Sequence, residues 1–164
     1  MDCINELVNR LELLPHPEGG YYKQTYKDDG LVEGYRGIDL TSPHASSTAI
    51  YFLMTEGNFS ALHRLKQDEV WHFYEGSALS VHTIKPDGTH QEIRLGRDFQ
   101  AGEVYQAVVK RGDIFGSCVD SGYALVGCTV APGFEFEDFE LLPKADLLAA
   151  YPMYRKLIEK LTRE

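Results

Sequence analysis

The stretch GNFSALHRLKQDEVWHFYEG, from Gly57 to Gly76, reads as two short strands joined by a polar turn. Alternation puts Phe59, Ala61, His63 and Leu65 on one face, and Glu69, Trp71 and Phe73 on one face of the following run. If His63 ends one strand and Glu69 opens the next, an imidazole and a carboxylate both point into the space between sheets. Burying either group is costly unless it is paired or holds a ligand or a metal. That makes both residues functional candidates. The structural alternative is a self-satisfied His–Glu pair that stiffens the fold.

Working outward, the neighbouring segments are strands as well. Thr48 to Thr55 (TAIYFLMT) is β-branched, aromatic and aliphatic on both faces. Leu79 to Ile84 and the run near Gln91 to Leu95 flank Pro86-Asp87-Gly88, a turn that should close a hairpin. Further strands are expected at Tyr105 to Val109, Ile114 to Cys118, Tyr123 to Val130 and Phe134 to Leu141, and an extended stretch at Tyr21 to Lys27. Short strands at such regular intervals indicate a sandwich or barrel and not a βαβ fold. Helices are expected at both ends: residues 2–13, capped by Asp2 and stopped by Pro15 and Pro17, and about 144–163, with Pro152 at a first helical position. The reading is one all-β domain over residues 1–164, with its barrel at about 19–142 and the short helices packed outside it or at a subunit contact.

Composition narrows the function classes. The chain has 164 residues, 43% of them hydrophobic, which suits a folded domain. Its 25 acidic and 16 basic residues give a net charge of −9, so nucleic acid and anionic membrane surfaces are not expected partners. No apolar run approaches the ~20 residues of a membrane span, and the acidic, periodic N-terminus lacks the pattern of a signal peptide. A cytoplasmic protein is the expectation. Cys3, Cys118 and Cys128 form no CxxC pair and read as buried small residues. His16, His44, His82 and His90 read as ordinary surface or packed residues. The acidic run Glu135 to Glu140 reads as a strand with a solvated acidic face; Glu135 or Asp138 reaching a pocket mouth is the functional alternative.

Gly57, His63, Glu69 and Gly76 fall at the spacings of the first cupin motif, and Gly112 stands where the second motif has its glycine. The segments LPHPEGGYY (Leu14 to Tyr22), STAIYFLM (Ser47 to Met54), HRLKQDEVWHFYEG (His63 to Gly76) and VGCTVAPGFEFEDFEL (Val126 to Leu141) together resemble the cupin 5 family. The resemblance implies an all-β double-stranded β-helix, the cupin jelly-roll barrel. Metal-binding cupins are similar in using three His and one Glu. Here the second His of the first motif is Leu65 and the His of the second is Phe115, neither of which can ligate. Two protein ligands hold a transition ion weakly, so no metal or other cofactor is expected. If one were bound, its ligands would be His63 and Glu69, with His72 or Gln106 in reserve. Alternation opposes His72, which points away from Glu69 and Trp71.

The expected site is an aromatic pocket: His63 and Glu69 as catalytic groups, with Tyr22, Tyr51, Trp71, Gln106 and Phe115 lining it, suited to a small polar ring or keto compound. The leading function is metal-independent acid–base chemistry on a carbohydrate-like or keto substrate. Cupin sugar-nucleotide epimerases are similar in placing a catalytic His at the position of His63, but they carry a basic residue near that of Glu69 and a catalytic Asp with no counterpart here. In this reading His63 is the general base, Glu69 orients it or acts as a second acid–base group, and a tyrosine returns the proton. The alternatives are a non-catalytic ligand-binding barrel and a metal-dependent oxygenase or isomerase. A homodimer is expected, paired through sheet edges or the segment Gly20 to Tyr26.

Overall fold

The structure is a computed structural model that describes residues 2–163, so residues 1 and 164 of the expected domain lie outside the described residues. Helix α1 (Cys3–Arg10) leads to β1 (Leu14–Pro15), β2 (Tyr21–Lys27), β3 (Leu31–Val32), β4 (His44–Ala45) and β5 (Thr48–Thr55). Then come β6 (Phe59–Arg64), β7 (Asp68–Gly76), β8 (Leu79–Ile84), β9 (His90–Leu95) and β10 (Gln106–Val109). The chain closes with β11 (Ile114–Val119), β12 (Tyr123–Ala131), β13 (Glu140–Leu141), α2 (Lys144–Ala150) and α3 (Arg155–Lys160).

Two antiparallel sheets face each other. One runs in the order β1-β2-β5-β12-β7-β10, the other β13-β6-β11-β8-β9. Consecutive strands β6 and β7 therefore lie in different sheets. Inward residues from both sheets, among them Phe52, Met54, Trp71, Val81, Phe115 and Val126, form the main core. The turn at Pro86-Asp87-Gly88 closes the β8–β9 hairpin, with Gly88 at φ 85° and Ile84 opposite His90.

The terminal helices cover outer faces. Asp2 caps α1 by accepting from the Ile4 N–H. This helix ends at Arg10, short of the expected residue 13, because Glu12 turns into the left-handed region at φ 54° before either proline is reached. Its apolar face packs on Leu53 and Leu125 of the six-stranded sheet. Leu147, Ile158 and Leu161 of the C-terminal segment pack on Leu62, Ile84 and Ile114 of the other sheet.

The expected strand from Phe134 to Leu141 is not formed. Residues Phe136–Asp138 make a 3-10 turn, and only Glu140–Leu141 pairs, with β6. The physical reason lies in what this segment must bury. Phe136 and Phe139, three residues apart, both cover the space between the sheets, while Asp138 turns inward to the imidazole of His44 and accepts from the Gln67 amide at 2.8 Å. A flat strand cannot satisfy all of these at once. His44 is itself fully buried in that pair, not an ordinary loop residue.

Candidate functional site

A cavity of about 270 Å³ opens between the sheets. His63 reaches it from β6 in the five-stranded sheet. Glu69 and Trp71 reach it from β7, Cys128 from β12 and Tyr22 from β2, all in the six-stranded sheet. Phe134, Phe136 and Phe139 close over it, and Glu135 stands at the mouth in an ion pair with Lys27 at 3.0 Å.

His63 is held on three sides. Its ring stacks on Phe139, with centroids 4.7 Å apart and planes at 22°, and lies 4.0 Å from the Phe115 ring. Its Nδ1 is 2.7 Å from the Ala61 carbonyl oxygen. A carbonyl only accepts, so Nδ1 carries the proton and donates. Burial lowers the pKa of His63 to about 4, with a small further push from His16. At neutral pH the ring is therefore uncharged and its Nε2 is a free lone pair.

Glu69 is the reverse case. Burial raises its carboxyl pKa to about 7, opposed in part by a hydrogen bond from the Cys128 thiol. Near neutrality the group is poised between acid and carboxylate. Cys128 itself is pushed well above the usual thiol range by burial and by Glu69, so it remains a thiol. Among the described residues no hydrogen bond joins His63 to Glu69. Glu69 therefore does not orient His63, as the sequence suggested it could; the Ala61 carbonyl does. The two groups face one cavity from opposite sheets.

The other expected site residues divide. Tyr22 and Trp71 line the cavity, and the buried Trp71 N–H has no partner among the described residues. Phe115 is core: it backs the His63 ring and sits edge-on to Trp71 at 6.4 Å. Tyr51 faces the other way, because Ile50 and Phe52 take the inward positions of β5; it meets Tyr74 edge-on at 6.0 Å. Gln106 lies on edge strand β10, where its amide meets His72 Nδ1 at 3.3 Å on the outer face. His72 also contacts Thr129 Oγ1 at 3.0 Å, so it too is outside the cavity. The sequence reading missed His16, which lines the cavity beside Tyr22 with ring centroids 4.8 Å apart. The one signal for it was the Gly19-Gly20 pair just beyond, which forces a tight turn.

A model of the Cupin_5 family, cupin superfamily (DUF985), matches residues 5–142. The chain belongs to this family. The cupin is similar to a structure of a hypothetical protein from Leishmania major, at 34% identity and TM-score 0.91 over all of both chains. It is also similar to protein SO0799 from Shewanella oneidensis, at 38% identity and TM-score 0.88 over 99% of this chain and 98% of that one. The uncharacterized protein YML079W of Saccharomyces cerevisiae is 29% identical over 88% of this chain and 78% of its own. Bacillus subtilis oxalate decarboxylase shares the fold, at 15% identity and TM-score 0.57 over 90% of this chain and 36% of the enzyme.

At the positions where metal-binding cupins carry two of their histidines, this cupin has Leu65 and Phe115. Leu65 lines the cavity and Phe115 fills the space behind His63, where ligating histidines would be needed. The reserve candidates His72 and Gln106 are on the far side of the sheet. Among the described residues no three His, Cys, Asp or Glu side chains gather as a metal would require. Among them, too, no helix is long and apolar enough to cross a membrane.

Proposed function

We propose that this cupin binds a small hydroxy-carbonyl compound, a keto sugar or its like, and inverts the carbon next to the carbonyl by acid–base chemistry without a metal. The observation that carries the reading is the free Nε2 lone pair of His63 in a cavity whose opposite wall presents Glu69. The cavity, about 270 Å³, lies at the lower edge of the ~300–1,000 Å³ range of drug-sized pockets. That favours a sugar of a few carbons over a nucleotide-linked one.

In the proposed reaction, His63 Nε2 removes the proton on the carbon beside the carbonyl. The C–H pair becomes a C=C bond and the carbonyl π pair moves to oxygen. The imidazolium and the enolate form together, so each stabilises the other in a site where a lone imidazolium would not persist. Glu69, protonated, then delivers its proton to the opposite face of the same carbon, and the carbonyl re-forms. His63 loses its proton to water and Glu69 regains one. A carboxyl titrating near 7 suits this exchange.

The test is solvent deuterium uptake by proton NMR, with a panel of erythrulose, the pentuloses and keto acids in D2O. Uptake at the carbon next to the carbonyl is expected with the wild type and is reduced at least ~100-fold in His63→Ala. Binding of panel members without uptake would instead favour a ligand-binding barrel with no chemistry.

A further inference from the structure

The second imidazole of the cavity, His16, is held by a loop whose backbone is hydrogen-bonded to the strand that holds the first. His16, Gly19 and Gly20 form a tight turn: His16 N–H donates to the Gly20 carbonyl at 2.9 Å and Gly19 N–H to the His16 carbonyl at 3.1 Å. Gly19 sits at φ 108°, and a Cβ there would lie 1.9 Å from the Phe59 carbonyl oxygen. Only glycine lets the turn press this closely on β6.

That contact aligns three hydrogen bonds in series. Glu18 N–H donates to His16 Nδ1 at 3.0 Å. The Glu18 carbonyl accepts from Ala61 N–H at 3.2 Å. The Ala61 carbonyl in turn accepts from His63 Nδ1 at 2.7 Å. A backbone N–H only donates, so His16 Nδ1 is a lone pair and its proton sits on Nε2. A backbone carbonyl only accepts, so His63 has the opposite tautomer. Neither ring can switch without breaking its link to this bridge. Burial, which lowers the pKa of His16 to about 4, keeps it neutral as well. Its Nε2–H has no partner among the described residues, and the ring lines the cavity.

We propose that His16 is the specificity-determining donor of the site, giving its Nε2–H to the ligand's carbonyl oxygen while the His63 lone pair faces the adjoining carbon. The inference rests on the function proposed above and adds a prediction of ligand class: ketones bind in preference to the matching polyols. A polyol can place a hydroxyl near His16, but it offers no carbonyl oxygen on which charge can grow. His16 keeps its proton throughout, since Nδ1 is committed to Glu18 and cannot accept another. The bond to oxygen strengthens as the enolate forms, which is where such a donor speeds a reaction.

The experiment uses the full chain, labelled with 15N and titrated with erythrulose and 1,3-dihydroxyacetone against erythritol and glycerol. Long-range 15N–1H spectra at neutral pH are expected to show His16 with its proton on Nε2 and His63 with its proton on Nδ1. The ketones shift the His16 Nε2 signal more than the polyols do. His16→Phe, checked for folding by circular dichroism, loses the preference for ketone, by about tenfold in affinity. His16→Gln, whose amide still donates, keeps most of it. A His16 proton on Nδ1, or equal shifts with ketone and polyol while His63 responds to the ketone, overturns the role of His16 and leaves the proposed function standing. No response of His16, His63 or Glu69 to either class overturns both.

Discussion

Replacing Glu69 by Gln keeps the shape of the side chain and removes its titration. In the folded chain the carboxyl titrates near 7 instead of 4.5, because burial disfavours its charge. A carboxyl raised in this way contributes stability that is fully present below pH 4.5 and is lost as the pH climbs through 7. At ~1.4 kcal/mol for each pH unit of displacement, the buried carboxylate costs the fold about 3 kcal/mol at pH 8.5. Burying the Gln amide costs the same at every pH. Urea unfolding of wild type and Glu69→Gln at pH 5 and pH 8.5 therefore isolates the carboxylate. The variant is expected to gain about 2–3 kcal/mol on the wild type between the two conditions. The buried histidines titrate identically in both chains and cancel. A stability difference that does not change with pH would mean Glu69 is solvated or balanced by a cation. Glu69 would then not be the proton donor.

Three further outcomes follow from the structure. Asp138→Ala leaves His44 and Gln67 buried without their shared partner and is expected to cost about 3 kcal/mol in urea unfolding, with the lid Phe136 and Phe139 loosened. Gly19→Ala places a Cβ against the Phe59 carbonyl and is expected to destabilise by about 2 kcal/mol and to broaden the His16 signals in NMR spectra. Wild-type protein dialysed against manganese, iron, nickel or zinc is expected to retain no stoichiometric ion. The double variant Leu65→His with Phe115→His, which supplies the missing ligands, is expected to retain one; elemental analysis reads both.

Much of the fold was legible because its strands carry strong local signals. Thr48–Thr55 and Leu79–Ile84 were read with the boundaries they have, since β-branched and aromatic runs bounded by turn residues leave little choice. The segment from Phe134 to Leu141 was misread because its aromatic spacing changes from two to three at Phe136. That marks a turn, and its purpose, burying Asp138 against His44, depends on a residue 94 positions away. Within the site, alternation in 57–76 brought His63, Glu69 and Trp71 to the cavity and sent His72 outside. It could not orient Tyr51, because β5 is apolar on both faces. Nor could it find His16, whose place depends on a loop meeting a distant strand at Ala61.

Inversion requires that a proton leave and another return on opposite sides of one carbon. Single-turnover reaction of each pentulose epimer in D2O, with wild type and Glu69→Gln, tests this most directly. The wild type should give the inverted sugar carrying deuterium, while Glu69→Gln should wash deuterium only into the epimer whose hydrogen faces His63, without inverting it, and should leave the other epimer unlabelled. Inversion by Glu69→Gln at the wild-type rate, or inversion with the original proton kept in the product, would contradict the account.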